Sequence, residues 1–197
     1  MRAIKFEKQF VTAGIFVFYK GLFPFQIGPT RKGDQLGVVR LGGHREGNET
    51  PIETAVRELH EESGMNVKII HSPVTYHTPS WNYPEIKVRA QDSQGMGPVL
   101  IKGVNGEYSV MYFGESMDKP VPSSEAKAIV LLKPADIVII CSRTLTFGEY
   151  IARNGIVVER EKMDRNLNLV PFPQLRFLSR LLNDEPEWLK GLFNMKI

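Results

Sequence analysis

The chain of 197 residues has a single cysteine, Cys141. An internal disulfide is impossible, which excludes the small secreted scaffolds held by disulfides and fits a reducing compartment. No run approaches the ~18 apolar residues that a bilayer-crossing helix needs. The richest, residues 129–141, is broken by Lys133, Pro134 and Asp136. There is no run of about five or six like charges that would make a nucleic-acid arm. The first ten residues alternate charged and apolar side chains and lack the apolar centre of a signal peptide. Internal repeats and low-complexity tracts are also missing. These absences predict a cytoplasmic globular protein with neither a membrane nor a nucleic-acid partner.

What is present is ordinary in amount. Hydrophobic residues make up 42% and charged residues 24%, with 25 basic against 22 acidic side chains. A chain of this length buries roughly 70% of its unfolded surface, so its core needs no disulfide or metal. The net charge of +3 is too small to select an anionic partner by its global field. The acidic residues are unevenly spread, however, and six glutamates fall between Glu46 and Glu62.

Strands are predicted over residues 10–19, 22–27, 36–41, 67–70, 87–90 and 108–114 from their β-branched and aromatic content. Residues 73–84, with three prolines, read as a loop, and a glycine-rich interval runs from Gly95 to Gly106. Residues 134–149 fit a short helix or a strand equally. Leu175, Leu178, Leu181 and Leu182 repeat at helical spacing, and Trp188, Leu189 and Leu192 continue an apolar pattern. Clustered strands without regular βαβ alternation predict a mixed α/β (α+β) architecture. The expected organisation is a domain over residues 1–160 and a helical extension over 161–197 packed on it, with a homodimer contact as the alternative use of that extension.

The best-specified helix follows Thr50. Thr50 and Glu53 form a capping box, Pro51 suits the first helical position and Gly64 supplies the stop. Ile52, Val56, Leu59 and Ser63 share its predicted buried face, with Ala55 beside them. Glu58, Glu61 and Glu62 stand at positions i, i+3 and i+4, so the spacing puts three carboxylates on a common side. Such a cluster is either a solvated acidic face or a seat for a cation. Carboxylates with no cysteine or histidine at ligand spacing suit a hard ion, Mg²⁺ or Mn²⁺, rather than Zn²⁺. Gly42 and Gly43 let the preceding loop approach the helix, where a backbone carbonyl could join the coordination.

Residues 43–65 read GHREGNETPIETAVRELHEESGM. Gly43, Glu49, Arg57, Glu58, Leu59, Glu61, Glu62, Gly64 and Met65 match every defined position of the Nudix box, which the segment therefore resembles. A chance match somewhere in the chain is on the order of 10⁻⁷ at average residue usage. The resemblance implies the Nudix fold, a mixed β-sheet sandwiched between helices. It implies hydrolysis of a nucleoside diphosphate linked to another moiety, with ADP-ribose or a nucleoside diphosphate sugar as the first guess. A nucleoside triphosphate pyrophosphatase and a non-catalytic nucleotide-sensing domain are the alternatives. It further implies that Glu58, Glu61 and Glu62 ligate metal, that Glu58 also serves as general base, that Arg57 orients a carboxylate, and that Glu49 completes the site from the loop.

Outside the box, Glu125 is the candidate for a further catalytic glutamate and Glu115 the rival. Where many Nudix proteins carry a proline before the double glycine, this chain has Arg40-Leu41. Arg40 is thus either a contact for a substrate phosphate or a solvated arginine at a strand end. Trp81 and Tyr83 either stack a nucleobase or tack a loop to the surface. Pro79, Tyr83 and the segment PSWNYP resemble marks of three different Nudix subfamilies. His44 and His60 are expected to face solvent, and Cys141 to sit in the core.

Overall fold

The computed structural model describes residues 4–104 and 107–193. In chain order the elements are β1 (Phe10–Phe18), β2 (Phe23–Pro29), β3 (Gln35–Val39), β4 (Leu41–His44), α1 (Pro51–Ser63), β5 (Lys68–Ile70), β6 (Thr75–Thr78), β7 (Ile86–Val88), β8 (Leu100–Lys102) and β9 (Tyr108–Glu115). There follow β10 (Ala128–Leu132), α2 (Pro134–Ser142), α3 (Phe147–Ala152), β11 (Ile156–Glu159), β12 (Asn168–Pro171), α4 (Pro173–Asp184) and α5 (Pro186–Phe193). This is the mixed α+β class expected from the sequence, with its strands divided over two sheets. None of the described helices is long and apolar enough to cross a membrane.

The chain divides into two compact units, each drawn from several stretches of sequence. The first takes in residues up to Val17, Leu41–Glu61 and Asn66–Ser116. Its sheet runs β4-β1-β9-β8-β6-β7, with β5 paired to β9. β4 pairs with β1, β5 with β9, β6 with β7 and β8 with β9 antiparallel, whereas β6 and β8 are parallel. Phe16, Leu41, Leu59, Ile101, Val110, Tyr112 and Phe113 are almost fully buried in it. Each such large apolar side chain contributes about 1.5–3 kcal/mol. Tyr112 donates its hydroxyl to Asp92, and burial raises its pKa.

The second unit takes in Phe18–Arg40, Glu62–Met65 and the residues from Met117 on. Its sheet runs β11-β10-β2-β3-β12, with β12 parallel to β3 and the other pairs antiparallel. All five residues of β10 are buried, as expected for a strand covered on both faces. Helix α2 packs on α4, β10 and β12, while α4 packs on β3, β12 and α5.

Several local expectations need correction. The predicted strand 36–41 is two strands: β3 ends at Val39 and pairs with β2, whereas β4 starts at Leu41 and pairs with β1. The predicted loop 73–84 contains β6, and the glycine-rich interval contains β8. Both strands are short and are held by pairing, β6 with β7 and β8, and β8 with β6 and β9, a signal that local composition does not carry. The ambiguous stretch 134–149 holds α2 and the start of α3, with residues 143–146 as the connection between them. Asp136 accepts a hydrogen bond from the Lys133 N–H and starts α2, and the Thr146–Glu149 capping box starts α3. β11 and β12 were not expected from the sequence.

Helix α1 forms as its sequence dictates. The Thr50 N–H donates to Glu53 Oε2 at 2.7 Å and the Glu53 N–H to Thr50 Oγ1 at 3.3 Å. Gly64 follows at φ +66°, a left-handed conformation that ends helices and favours glycine. The buried face matches the predicted one in part. Ala55, Leu59, Glu62 and Ser63 are buried, while Ile52 and Val56 are only half-buried. Glu62 thus leaves the open acidic side predicted for it and sits 6% exposed.

Candidate active site

In the first unit, β4 and the loop after it bring Gly43, His44 and Glu49 to the polar side of α1. Arg57 ties this arrangement together. Its Nε donates to Glu49 Oε1 at 2.7 Å, and its Nη2 to Glu49 Oε2 at 3.1 Å and to the His44 carbonyl at 2.9 Å. Its Nη1 donates to Glu58 Oε1 at 3.0 Å and to Glu61 Oε2 at 2.8 Å. A guanidinium has five N–H donors in a fixed fork, and here each has an acceptor. Contact with Glu49 is two-pronged, the stronger form of an arginine–carboxylate pair.

Glu49 is further held by the Thr54 hydroxyl at 2.7 Å and the Glu46 N–H at 3.0 Å. The Arg57 hydrogen bonds, aided by that N–H and that hydroxyl, pull the Glu49 carboxyl down to about 2 against partial burial. Its folded pKa lies below the usual 4.5, so its stabilising effect is present above that value and is lost as pH falls toward 2. In EDTA, wild type should unfold at higher temperature than Glu49→Gln at pH 6. That gap should close between pH 4.5 and 2; a constant gap would contradict the ion-pair account.

Gly43 is required by close approach. A Cβ built there falls against the Glu58 carboxyl group. The backbone at Gly43 is not left-handed, so alanine is tolerated by the chain but displaces Glu58. Gly43→Ala should therefore cost about 10²-fold in hydrolysis, the scale of a misplacement of ~1 Å. Its unfolding temperature should change little; activity within twofold of wild type would refute the close-contact argument.

The three box carboxylates differ in setting. Glu58 is 13% exposed and Glu61 44% exposed at the side chain. Glu62, in the second unit, accepts a hydrogen bond at 2.6 Å from Gln26 Nε2, a residue the sequence reading did not single out. Gln26 lies 36 positions away in a strand and belongs to no motif, so no sequence signal pointed to it.

The remaining candidates stand as follows. Gly42 lies in β4 opposite Gly14 of β1. Arg40 is 8% exposed, so it is not the solvated strand-end arginine of one expectation, and its carbonyl accepts from Gln26. Trp81 is half-buried and Tyr83 is 62% exposed in the turn after β6. Glu125 is exposed ahead of β10, its N–H donating to Ser123 Oγ, and Glu115 ends β9 half-buried. His44 and His60 are exposed. Cys141 is half-buried, and burial raises its thiol pKa. A cavity of about 900 Å³ in the first unit is lined by residues 4–9, 71–73, 75 and 88–91, none of them from the box.

No protein-family model and no curated protein matches the sequence. Solved structures do match, Nudix hydrolases among them. An Ap4A hydrolase of C. elegans in a binary complex is 12% identical over 91% of this chain and 98% of its own, with a TM-score of 0.49. A NUDIX-family hydrolase from Clostridium perfringens is 18% identical over 68% of this chain and 85% of its own, at 0.45. The NUDIX hydrolase from Nitrosomonas europaea is 13% identical over 86% and 80%, at 0.42. At these values the chemistry has to be read from the chain's own side chains.

Proposed function

We propose that the protein is a metal-dependent pyrophosphohydrolase of the Nudix type, acting on a nucleoside diphosphate linked to another moiety. The carrying observation is Arg57, whose five donors hold Glu49, Glu58, Glu61 and the His44 carbonyl in one arrangement. A structural helix face has no need to converge three carboxylates on a single guanidinium.

The donor chemistry fits a hard divalent ion: carboxylate oxygens, with His44 and His60 turned to solvent. By the resemblance to the Nudix box, Glu58, Glu61 and Glu62 are the residues that would hold Mg²⁺ or Mn²⁺, with the Gly42 carbonyl and Glu125 as the further oxygen donors expected from the sequence. A bound ion would neutralise pyrophosphate oxygens and lower the pKa of an attacking water. On this reading Glu58 takes the proton of that water, and Arg57 sets its carboxylate in place. Arg40 is assigned to a substrate phosphate, and Trp81 and Tyr83 to the base.

ADP-ribose and nucleoside diphosphate sugars head the substrate panel, with nucleoside triphosphates as its other arm. The test is release of a nucleoside monophosphate that depends on Mg²⁺ or Mn²⁺, with ¹⁸O-labelled water marking the phosphorus attacked. Turnover of triphosphates alone would move the assignment to a pyrophosphatase of that class. Nucleotide binding without turnover of any member, across several metals and pH values, would overturn the enzymatic reading.

A further inference from the structure

We infer that Gln26 is a positioning residue that fixes the Glu62 carboxylate for a divalent cation. The inference rests on the proposed reading of the α1 carboxylates as a cation site. Gln26 lies in β2, between β10 and β3, where it stands opposite Ile129 and Val39. Its backbone is thereby held from both sides. Its side-chain nitrogen donates to Glu62 Oε1 at 2.6 Å and to the Arg40 carbonyl at 3.3 Å. The amide therefore has two acceptors to satisfy and little freedom to turn.

Glu62 is restrained from its own backbone as well. The Ser123 N–H donates to its carbonyl at 3.1 Å, and the Val121 N–H to the next carbonyl, of Ser63, at 2.8 Å. At 6% exposure the carboxylate is largely out of water, where a charged group requires hydrogen-bond partners. A neutral donor meets part of that requirement and sets the direction of the carboxylate without cancelling its charge. A lysine at position 26 would meet it by neutralising the group that a cation needs. Partners that orient metal-binding carboxylates in this way are commonly worth 10–100-fold in affinity.

The experiment measures Mn²⁺ binding by the electron paramagnetic resonance signal of the free ion, together with thermal unfolding in EDTA. Gln26→Met keeps the length of the side chain and removes the donor. Gln26→Asn keeps the amide but is one methylene too short, and serves if the methionine variant does not fold. Each should weaken Mn²⁺ binding about 10–100-fold. The Mn²⁺ concentration for half-maximal hydrolysis should rise by the same factor, while the rate at saturating Mn²⁺ falls much less. In a Glu62→Gln background, Gln26→Met should weaken binding no further. A folded Gln26 variant with wild-type Mn²⁺ affinity, even one of lowered unfolding temperature, overturns the inference and leaves the proposed function standing. An undiminished effect in the Glu62→Gln background overturns the route through Glu62. Wild type that binds no Mn²⁺ overturns both this inference and the cation reading beneath it.

Discussion

Glu58→Gln should lower nucleotide hydrolysis by about 10²–10⁴-fold, the range usual for removing a group that transfers a proton. Glutamine keeps the size of the side chain and an oxygen that can accept from Arg57 Nη1, at 3.0 Å in the wild type. It removes the charge and the basicity. The arrangement around Arg57 should persist, and with it the unfolding temperature in EDTA. Glu61→Gln should also lose activity strongly, and because Glu61 is 44% exposed, its stability cost should be the smaller. Glu62→Gln places a new amide against Gln26 in a buried position, so a fall in unfolding temperature should accompany its loss of activity. Initial rates over a range of Mg²⁺ and Mn²⁺ separate a lost ligand, which more metal partly restores, from a lost base, which it does not. Wild-type rates in both Glu58→Gln and Glu61→Gln would sink the proposed site.

Arg57→Lys should cost on the order of 10²-fold in hydrolysis through loss of positioning, and about 1–2 kcal/mol in stability. Charge is conserved in this change, so a purely electrostatic role for Arg57 predicts little effect. The observed geometry predicts a large one. Lysine offers three donors at one point, whereas Arg57 spans Glu49, Glu58, Glu61 and the His44 carbonyl with a planar fork. The pairing with Glu49 raises the Arg57 pKa further and links the loop before α1 to the helix. Steady-state kinetics with thermal unfolding in EDTA decides between the two accounts. A lysine variant within a few-fold of wild type would show that the five-donor arrangement is dispensable.

Much of the candidate site was legible before the structure because its parts are local. The capping box, the proline at the first position and the terminal glycine specify α1 within about four residues on either side, and all three appear where expected. The spacing of Arg57, Glu58 and Glu61 follows from helix geometry alone. Glu49 lies only eight positions from Arg57. The setting of Glu62 was less legible. Periodicity put Ile52, Val56, Leu59 and Ser63 on the buried face with Ala55 beside them; Ala55, Leu59 and Ser63 are buried, but Ile52 and Val56 are only half-buried and Glu62 joins the buried side. A rotation of the helix by a few tens of degrees changes no local interaction, so local sequence could not specify it. β6 and β8 were missed for a related reason. Each is a three- or four-residue strand, too short for its own composition to mark it, and pairing with β7, β8 or β9 makes it a strand.

By itself, then, the sequence determined the helix, its run of glutamates and the resemblance to the Nudix box, because these depend on residues close together in the chain. Tertiary structure alone decided that Arg57 spends all five donors on the loop and on two glutamates of its own helix. It also decided that the polypeptide breaks at Arg40 so that β3 and β4 join different sheets, and that a glutamine 36 residues away holds Glu62. Those choices are made by strand pairing and core packing between distant segments, whose energies cannot be assigned to any one stretch of chain.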